Sequence, residues 1–336
     1  MTKSTNIKHI LIATGIYPPQ IGGPAEYTKN IEEVWKNEAY KVTVKYFSFE
    51  HKLPSGLRHI YFLIKSFYAV MRADFILVLD TFSVALPIMI ACKILNKKYI
   101  VRTGGDFLWE SFVERTRKKV LFKDFYNTET NNFTSKEYFI FKVTKKILLN
   151  ADKIIFSTAW QRDIWQNPYN IDISKTKIVE NFYGEHSLNN AFESKTFIGA
   201  TRNLVWKNTD TLKSIFEDKQ IAETGVKLDL DTSSHEDFIA RIQASYAVIL
   251  VSLGDISPNM IMDAIRLNKP FIVTKEIGIY ARIRDIGIFV DPLNKKDIKE
   301  KILWLLEEQN YNEQIEKIQN FTFRHSWQLL ANEILN

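Results

Sequence analysis

The chain has 336 residues, 46% hydrophobic and 13% aromatic, which supplies core material for two domains of ordinary size. A single cysteine, Cys92, excludes an internal disulfide framework and fits a reducing compartment. The net charge of +6 is uneven: residues 1–180 hold 27 Lys and Arg against 17 Asp and Glu, a net of +10, and residues 181–336 hold 18 against 22, a net of −4. A basic first half suits an anionic surface or acceptor. No nucleic-acid motif accompanies it, so an anionic membrane surface is the better candidate and nucleic acid is not expected.

Residues 8–14 (KHILIAT) read as a first strand rather than a secretion signal. The loop GIYPPQIGGPAEY follows, then an amphipathic helix over 25–38 and an alternating strand over 41–47. Residues 56–73 predict a helix that carries Arg58, Lys65 and Arg72 among Tyr61, Phe62, Phe67 and Tyr68. A strand at 75–79 and a helix at 82–95 come next; Asp80, Pro87 and Lys93 interrupt this apolar stretch and argue against a membrane span. A strand at 98–102 ends in Thr103-Gly104-Gly105-Asp106, and a polar, aromatic and basic insert runs over 107–150. The insert is expected to be helical at both ends, with a loop over 127–135. A strand over 151–157, a helix over 159–166 and a short strand at 178–179 complete the first series.

Residues 181–195 mark a boundary, and a second α/β series begins at 197–201. Helices at 210–219 and 236–244 and strands at 226–230 and 246–253 precede a helix starting near Pro258 with Ser257 as its cap. Strands at 271–274 and 288–290, helices at 295–309 and 313–318, and a terminal amphipathic helix over 321–335 finish the chain. Strands alternating with helices across short connections imply parallel sheets covered on both faces.

Two groups of residues point to a nucleotide diphosphate. In VSLGDISPNMIMDAIRLNKPFIVT an apolar strand breaks at Gly254, Asp255 lies in the loop, and Asp263 follows after seven intervening residues. Ligands of open α/β sheets bind at such strand-end loops, and the free amides at the helix start, near Asn259 and Met260, would face a phosphate. In ATRNLVWKNTD, Arg202 and Lys207 place a guanidinium and an ammonium in a loop between strand and helix, a pairing suited to a diphosphate. Gly22 and Gly23 open the first helix after a strand, where glycine permits close backbone approach. They do not form the G-x-G-x-x-G fingerprint, which disfavours a nicotinamide or flavin cofactor. Six histidines lack metal-ligand spacing, no G-x-S-x-G nucleophile motif occurs, and Asp229-Leu230-Asp231 reads as a strand end with a helix cap rather than a D-x-D metal motif.

In this order the motifs resemble those of the retaining glycosyltransferases of family 4, which have the GT-B fold. The acid-x7-acid signature there is usually two glutamates; here it is Asp255 and Asp263. The resemblance implies that Asp255 lies near hydroxyls of the donor sugar and Asp263 near the ribose. It implies that Arg202 and Lys207 hold the diphosphate, and that the Gly22-Gly23 loop closes over it and borders the acceptor. Thr201 departs from the glycine that usually precedes the arginine, and TGGDF holds no histidine where the family often has one. Asp106 is the polar group left there, either orienting the acceptor or capping the following helix. Trp327 matches the aromatic of the family's F-S-W-x-x-x-A segment, whose helix packs back on the first domain.

The expected architecture is therefore α/β GT-B, with two Rossmann-like parallel-sheet domains facing across a cleft. Residues 1–182 form the acceptor domain, 183–318 the nucleotide-sugar domain, and 319–336 a helix packing on the first domain. The implied activity is metal-independent, retaining transfer of a sugar from a nucleotide-diphosphate donor to a glycan or lipid-linked acceptor, with the donor as co-substrate and no cofactor. The expected location is cytoplasmic or peripheral on the inner membrane face. Segments 56–73 and 115–123 (RTRKKVLFK) are the candidate membrane-facing stretches. The alternatives are a non-catalytic binding subunit, suggested by aspartates in place of both glutamates, and a nucleotide-sugar epimerase, which shares the fold.

Overall fold

The computed structural model describes residues 7–20, 22–48, 50–187, 191–200 and 202–336. The chain forms two compact units: residues 1–105, 133–181 and 326–336 make the first, and residues 106–132 and 182–325 the second.

The first unit runs β1 (His9–Thr14), α1 (Gly23–Asn37), β2 (Lys41–Tyr46), α2 (Ser55–Arg72), β3 (Phe75–Val78), α3 (Ala85–Ile94) and β4 (Ile100–Arg102). The chain then forms α4 (Phe107–Thr116) and α5 (Phe122–Thr128), which belong to the second unit, before α6 (Ser135–Asn150), β5 (Lys153–Phe156), α7 (Ala159–Tyr169) and β6 (Thr176–Ile178). Six strands pair in the order β2-β1-β3-β4-β5-β6, all parallel, with Leu11 opposite Thr43 on one side and Ile76 on the other. Ile10 to Ala13 are fully buried because helices cover both faces, which is why the run is continuously apolar rather than alternating. One carboxylate oxygen of Asp80 accepts the amides of Phe82, Val84 and Ala85 at 2.8, 3.2 and 3.2 Å, and this turn delays α3 to Ala85. A capping box between Thr134 and Glu137 starts α6.

The second unit adds β7 (Thr196–Ile198), α8 (Thr209–Phe216), α9 (Lys219–Ala222), β8 (Lys227–Asp229), α10 (His235–Ala244), β9 (Ala247–Leu250) and α11 (Asn259–Arg266). There follow β10 (Phe271–Thr274), α12 (Tyr280–Ile283), β11 (Ile288–Val290), α13 (Lys295–Leu306) and α14 (Glu308–Gln319). Its five strands pair in parallel in the order β11-β10-β9-β7-β8. Two apolar clusters lie on this sheet, one built on Val248, Leu250, Ile261 and Phe271, the other on Phe197, Ile249, Ile298 and Ile302.

Two divisions differ from the sequence order. Residues 106–132 cluster with the second unit although they lie inside the stretch assigned to the first domain. Aromatic packing explains this: Trp109 sits on Trp206 with ring centroids 5.6 Å apart and on Phe122 at 5.2 Å. The end of the chain is not one helix from 319 or 321. Phe321, Phe323 and His325 run as an extended, alternating segment packed in the second unit, with His325 bridged to Tyr183. Only then does α15 (Trp327–Leu335) begin, capped by Ser326, and it packs on α1 in the first unit with Trp327 edge-on to Tyr27 at 5.6 Å. The expected helix over 295–309 ends at Leu306 because Glu307 adopts an extended backbone, and α14 restarts at Glu308.

Candidate functional site

The loop that leaves β7 carries both predicted cations. Thr201 lies outside the described residues; Arg202 is exposed, and Val205–Lys207 form a single 3-10 turn. The turn ends at Asn208, whose left-handed φ of 58° suits asparagine. The buried Asn208 side chain donates to the carbonyls of Val251 and Pro292 at 3.2 and 2.8 Å and accepts from Thr211 at 2.7 Å. These bonds fix the turn against the end of β9. Trp206 is buried, and the guanidinium of Arg202 and the ammonium of Lys207 lie 5.9 and 4.2 Å from its ring centroid.

Lys207 donates to Asp255 Oδ2 at 2.6 Å, and both side chains are mostly buried. The two residues come from different strand-end loops 48 positions apart. Ser252 also donates to Asp255 at 3.3 Å, and the Asp255 backbone pairs with Glu276 and Gly278 in the loop after β10. The carboxylate is thus held by Lys207 and Ser252 and its backbone by the loop after β10, at the carboxyl edge of the sheet where ligands of such sheets bind.

Helix α11 starts one residue later than expected, at Asn259, with Pro258 in the cap position. Ser257 does not cap it; its hydroxyl is buried with no partner among the described residues. The amides of Asn259 and Met260 precede the first donor of the α11 ladder, Ile261, whose N–H bonds Pro258 O at 3.0 Å. Asp263 lies a turn further along. Burial raises its pKa, while Arg266, 3.4 Å away, and His235 oppose that rise. The structure joins Lys207 directly to Asp255 and places Arg202 on the same tryptophan, whereas the charged neighbours of Asp263 are Arg266 and His235.

Asp106 is buried and engaged through both oxygens: one caps α4 by accepting the Trp109 amide at 2.9 Å, the other accepts the Tyr126 hydroxyl at 2.5 Å. It anchors α4, which is the capping role of the two open to it. One turn later stands Glu110, a group that no motif in the insert over 107–150 marks. Burial lifts its pKa to about 7; Lys207 and Arg202 pull it down, and Asp106 and Asp255 push it up. A carboxyl that senses both cations and both aspartates belongs to the same cluster. Its i+4 spacing from Asp106 is the one signal in the sequence that could have pointed to it.

The insert is locked onto these loops. Phe122 N–H donates to Leu253 O at 3.1 Å, and Leu253 N–H to Trp206 O at 2.8 Å. A Cβ at Gly254 would lie 2.4 Å from Phe122 Cβ and 3.2 Å from the Trp109 ring, so only glycine lets the insert approach the Asp255 loop. Lys119 donates to Asn208 and Thr211 at 2.7 and 2.6 Å, and Lys123 pairs with Glu276 at 2.6 Å. Within the basic run 115–123 Phe122 is buried and Lys119 and Lys123 bond groups of the second unit, while the side chains of Arg115, Arg117 and Lys118 are exposed.

Gly22 and Gly23 lie in the first unit. Gly22 precedes α1 with φ 155°, and a Cβ there would meet Ile16 at 2.8 Å. Among the described residues no group of three or more His, Cys, Asp or Glu could hold a metal. Asp229 is held by Arg241 in a two-point ion pair, which makes it a structural acid.

No protein-family model matches the chain, and no curated protein matches it in sequence. Solved structures match it over nearly its whole length at low identity. HepE from Anabaena, solved in complex with UDP, is 14% identical over 97% of this chain and 98% of that one, with a TM-score of 0.64. Sucrose-phosphate synthase from Thermosynechococcus elongatus is 12% identical over 97% of each chain, with a TM-score of 0.69. The lipopolysaccharide outer core galactosyltransferase WaaB is 11% identical over 98% of each chain, with a TM-score of 0.60. The class is thereby defined at the level of fold: the chain has the GT-B glycosyltransferase fold, with two Rossmann-like parallel sheets of six and five strands.

Proposed function

We propose that the protein is a glycosyltransferase that moves a sugar from a nucleotide-diphosphate donor to a glycan or lipid-linked acceptor, with retention and without metal. The observation that carries this reading is the Lys207–Asp255 pair at 2.6 Å, set at two strand-end loops with Arg202 on the shared Trp206 ring. An entering diphosphate competes with Asp255 for the ammonium, and the carboxylate so released accepts hydrogen bonds from sugar hydroxyls. Arg202, Lys207 and the Asn259 and Met260 amides then meet the charge that grows on the leaving group. One such preorganised donor is worth about 2.7–4 kcal/mol in related chemistry. Asp263 is assigned to the ribose, and Asp106 positions α4.

In the proposed front-face reaction the bond from the anomeric carbon to the phosphate oxygen breaks and the bond to the acceptor oxygen forms on the same face. The acceptor proton passes to the leaving diphosphate, so no separate base is required. Retention and the family 4 assignment rest on the acid-x7-acid resemblance. The Gly22-Gly23 loop and the basic first unit are assigned to the acceptor side, in a cytoplasmic or membrane-peripheral setting and in surface glycan synthesis. The complex of HepE with UDP and glucose supports a UDP-sugar as the first donor to try.

The test is a thermal-shift and turnover screen of UDP, GDP, ADP and their sugars. One diphosphate should raise the melting temperature, and its sugar should be consumed in the presence of acceptor. Lys207→Ala should lower turnover about 10²–10³-fold. A nucleotide shift undiminished in Lys207→Ala would overturn the phosphate assignment. Binding without turnover identifies the non-catalytic subunit, and an altered sugar nucleotide without acceptor identifies an epimerase.

A further inference from the structure

Helix α2 has 18 residues, and its two faces differ sharply. Phe62, Ser66, Ala69 and Val70 are buried on the first unit's core side. Leu57, Ile60, Tyr61, Ile64, Tyr68 and Met71 are 41–72% exposed. At about 100° per residue these six fall within an arc of roughly 100°, which is the apolar stripe of an amphipathic helix turned outward instead of inward. Isolated exposed apolar residues are ordinary, but an aligned row of six large ones marks an interaction face.

The cations are not scattered around this stripe. Arg58, Lys65 and Arg72 recur every seven residues and fall along one flank of it. On that flank a groove of about 200 Å³ separates α2 from the edge strand β2, lined by His9, Lys41, Lys45, Lys65 and Arg72 with Tyr68. Glu50 neutralises Lys65 at 2.7 Å. Arg72 is exposed, donates to the Tyr68 hydroxyl at 2.8 Å and makes no ion pair among the described residues; Lys41 is likewise exposed. The groove thus carries excess positive charge beside an apolar ridge.

We propose that this face of the first unit docks on a membrane surface containing anionic phospholipid, with the α2 ridge entering the acyl boundary and the Lys41–Arg72 groove taking a headgroup phosphate. Charge complementarity selects this occupant: an apolar protein partner would match the ridge and leave the cations unpaired, whereas an anionic bilayer matches both. Among the described residues no helix is long and apolar enough to cross a membrane, so the contact is a surface one. The proposal gives residues to the membrane-side acceptor reading above, yet its test requires neither donor nor turnover, so each can fail alone.

The experiment is sedimentation of the full chain with phosphatidylcholine vesicles, with and without phosphatidylglycerol, at low and high salt. The protein should pellet with the anionic vesicles at low salt and release as salt rises. Ile60→Ser with Ile64→Ser should weaken binding at least tenfold at every salt concentration, and Lys41→Glu with Arg72→Glu should remove the preference for anionic lipid. Inorganic phosphate at the same concentration as the lipid should not displace the protein if the ridge contributes. No binding to anionic vesicles at low salt, or equal binding by wild type and the Ile variant, overturns the proposal. So does a dimer in solution that the Ile variant dissolves, because the face is then covered by a second copy.

Discussion

Helix α2 and residues 115–123 look alike as sequence, each mixing cations with aromatic and aliphatic residues, yet apolar side chains among them end in different environments. In α2 six large apolar side chains stay outside while Phe62 is buried. In 115–123 the apolar side chain of Phe122 is buried, Lys119 holds the Asn208 turn, and Lys123 neutralises Glu276. Composition is therefore a poor guide to surface function, because a lysine beside an aromatic ring serves a lipid headgroup or a loop carbonyl equally well. What separates the two cases is whether a neighbouring element covers the apolar side chain: the Gly254 loop and Trp109 cover Phe122, whereas the outer ridge of α2 stays exposed.

The contrast breaks most visibly at Gly254. Gly254→Val sets a branched side chain against Phe122 and Trp109 and should cost about 3 kcal/mol or more, either unfolding the second unit or prising the insert away. Thermal melting reads the loss, and a wild-type melting temperature would show that the insert does not seat there. Next comes Lys123→Met, which leaves the mostly buried Glu276 carboxylate without its cation and should cost about 1–3 kcal/mol in denaturant titration. A neutral result would show that the Glu276 carboxylate does not depend on Lys123.

Glu110→Gln sharpens the comparison through pH. The unfolded carboxyl titrates near 4.5 and the folded one at about 7, because burial disfavours its charge. Between those values the native state holds more protons than the unfolded state, so stability falls as pH rises through this window and levels off above 7. The variant should lack that slope and gain on the order of 1–3 kcal/mol relative to wild type above pH 7. Parallel slopes in the two proteins would remove Glu110 from the cluster. The smallest effect belongs to the α2 ridge: Ile60→Ser with Ile64→Ser should shift stability by about 0.5 kcal/mol per site or less, since both side chains are already exposed.

Much of the architecture is legible in the chain. Runs such as ILIA in β1 and AVIL in β9 are apolar at every position because parallel strands under two helical layers have no wet face, and their spacing announces two α/β series. The Arg202, Lys207 and Asp255 loops follow from the same logic of strand, polar loop, helix. Local pattern misleads where a side chain or a backbone group reaches across sequence. Asp106 stands open between two roles as sequence, and Tyr126 and the Trp109 amide settle it by taking both oxygens. The terminal stretch reads as one helix, but the bridge from His325 to Tyr183 holds 321–325 extended. Glu110 carries nothing but its spacing from Asp106, since its pKa depends on groups from three separate segments.

By itself the sequence determined where most strands and helices lie, their parallel order of succession, and which cations and acids stand at strand ends. Hydrophobic periodicity and backbone chemistry act over a few residues and are written in neighbouring positions. Only the tertiary structure decided that residues 106–132 clamp the second unit's loops, that Lys207 meets Asp255, and that the α2 stripe stays uncovered. Each of those depends on which distant element arrives to supply an acceptor or an apolar face, and a one-dimensional pattern holds no record of that arrival.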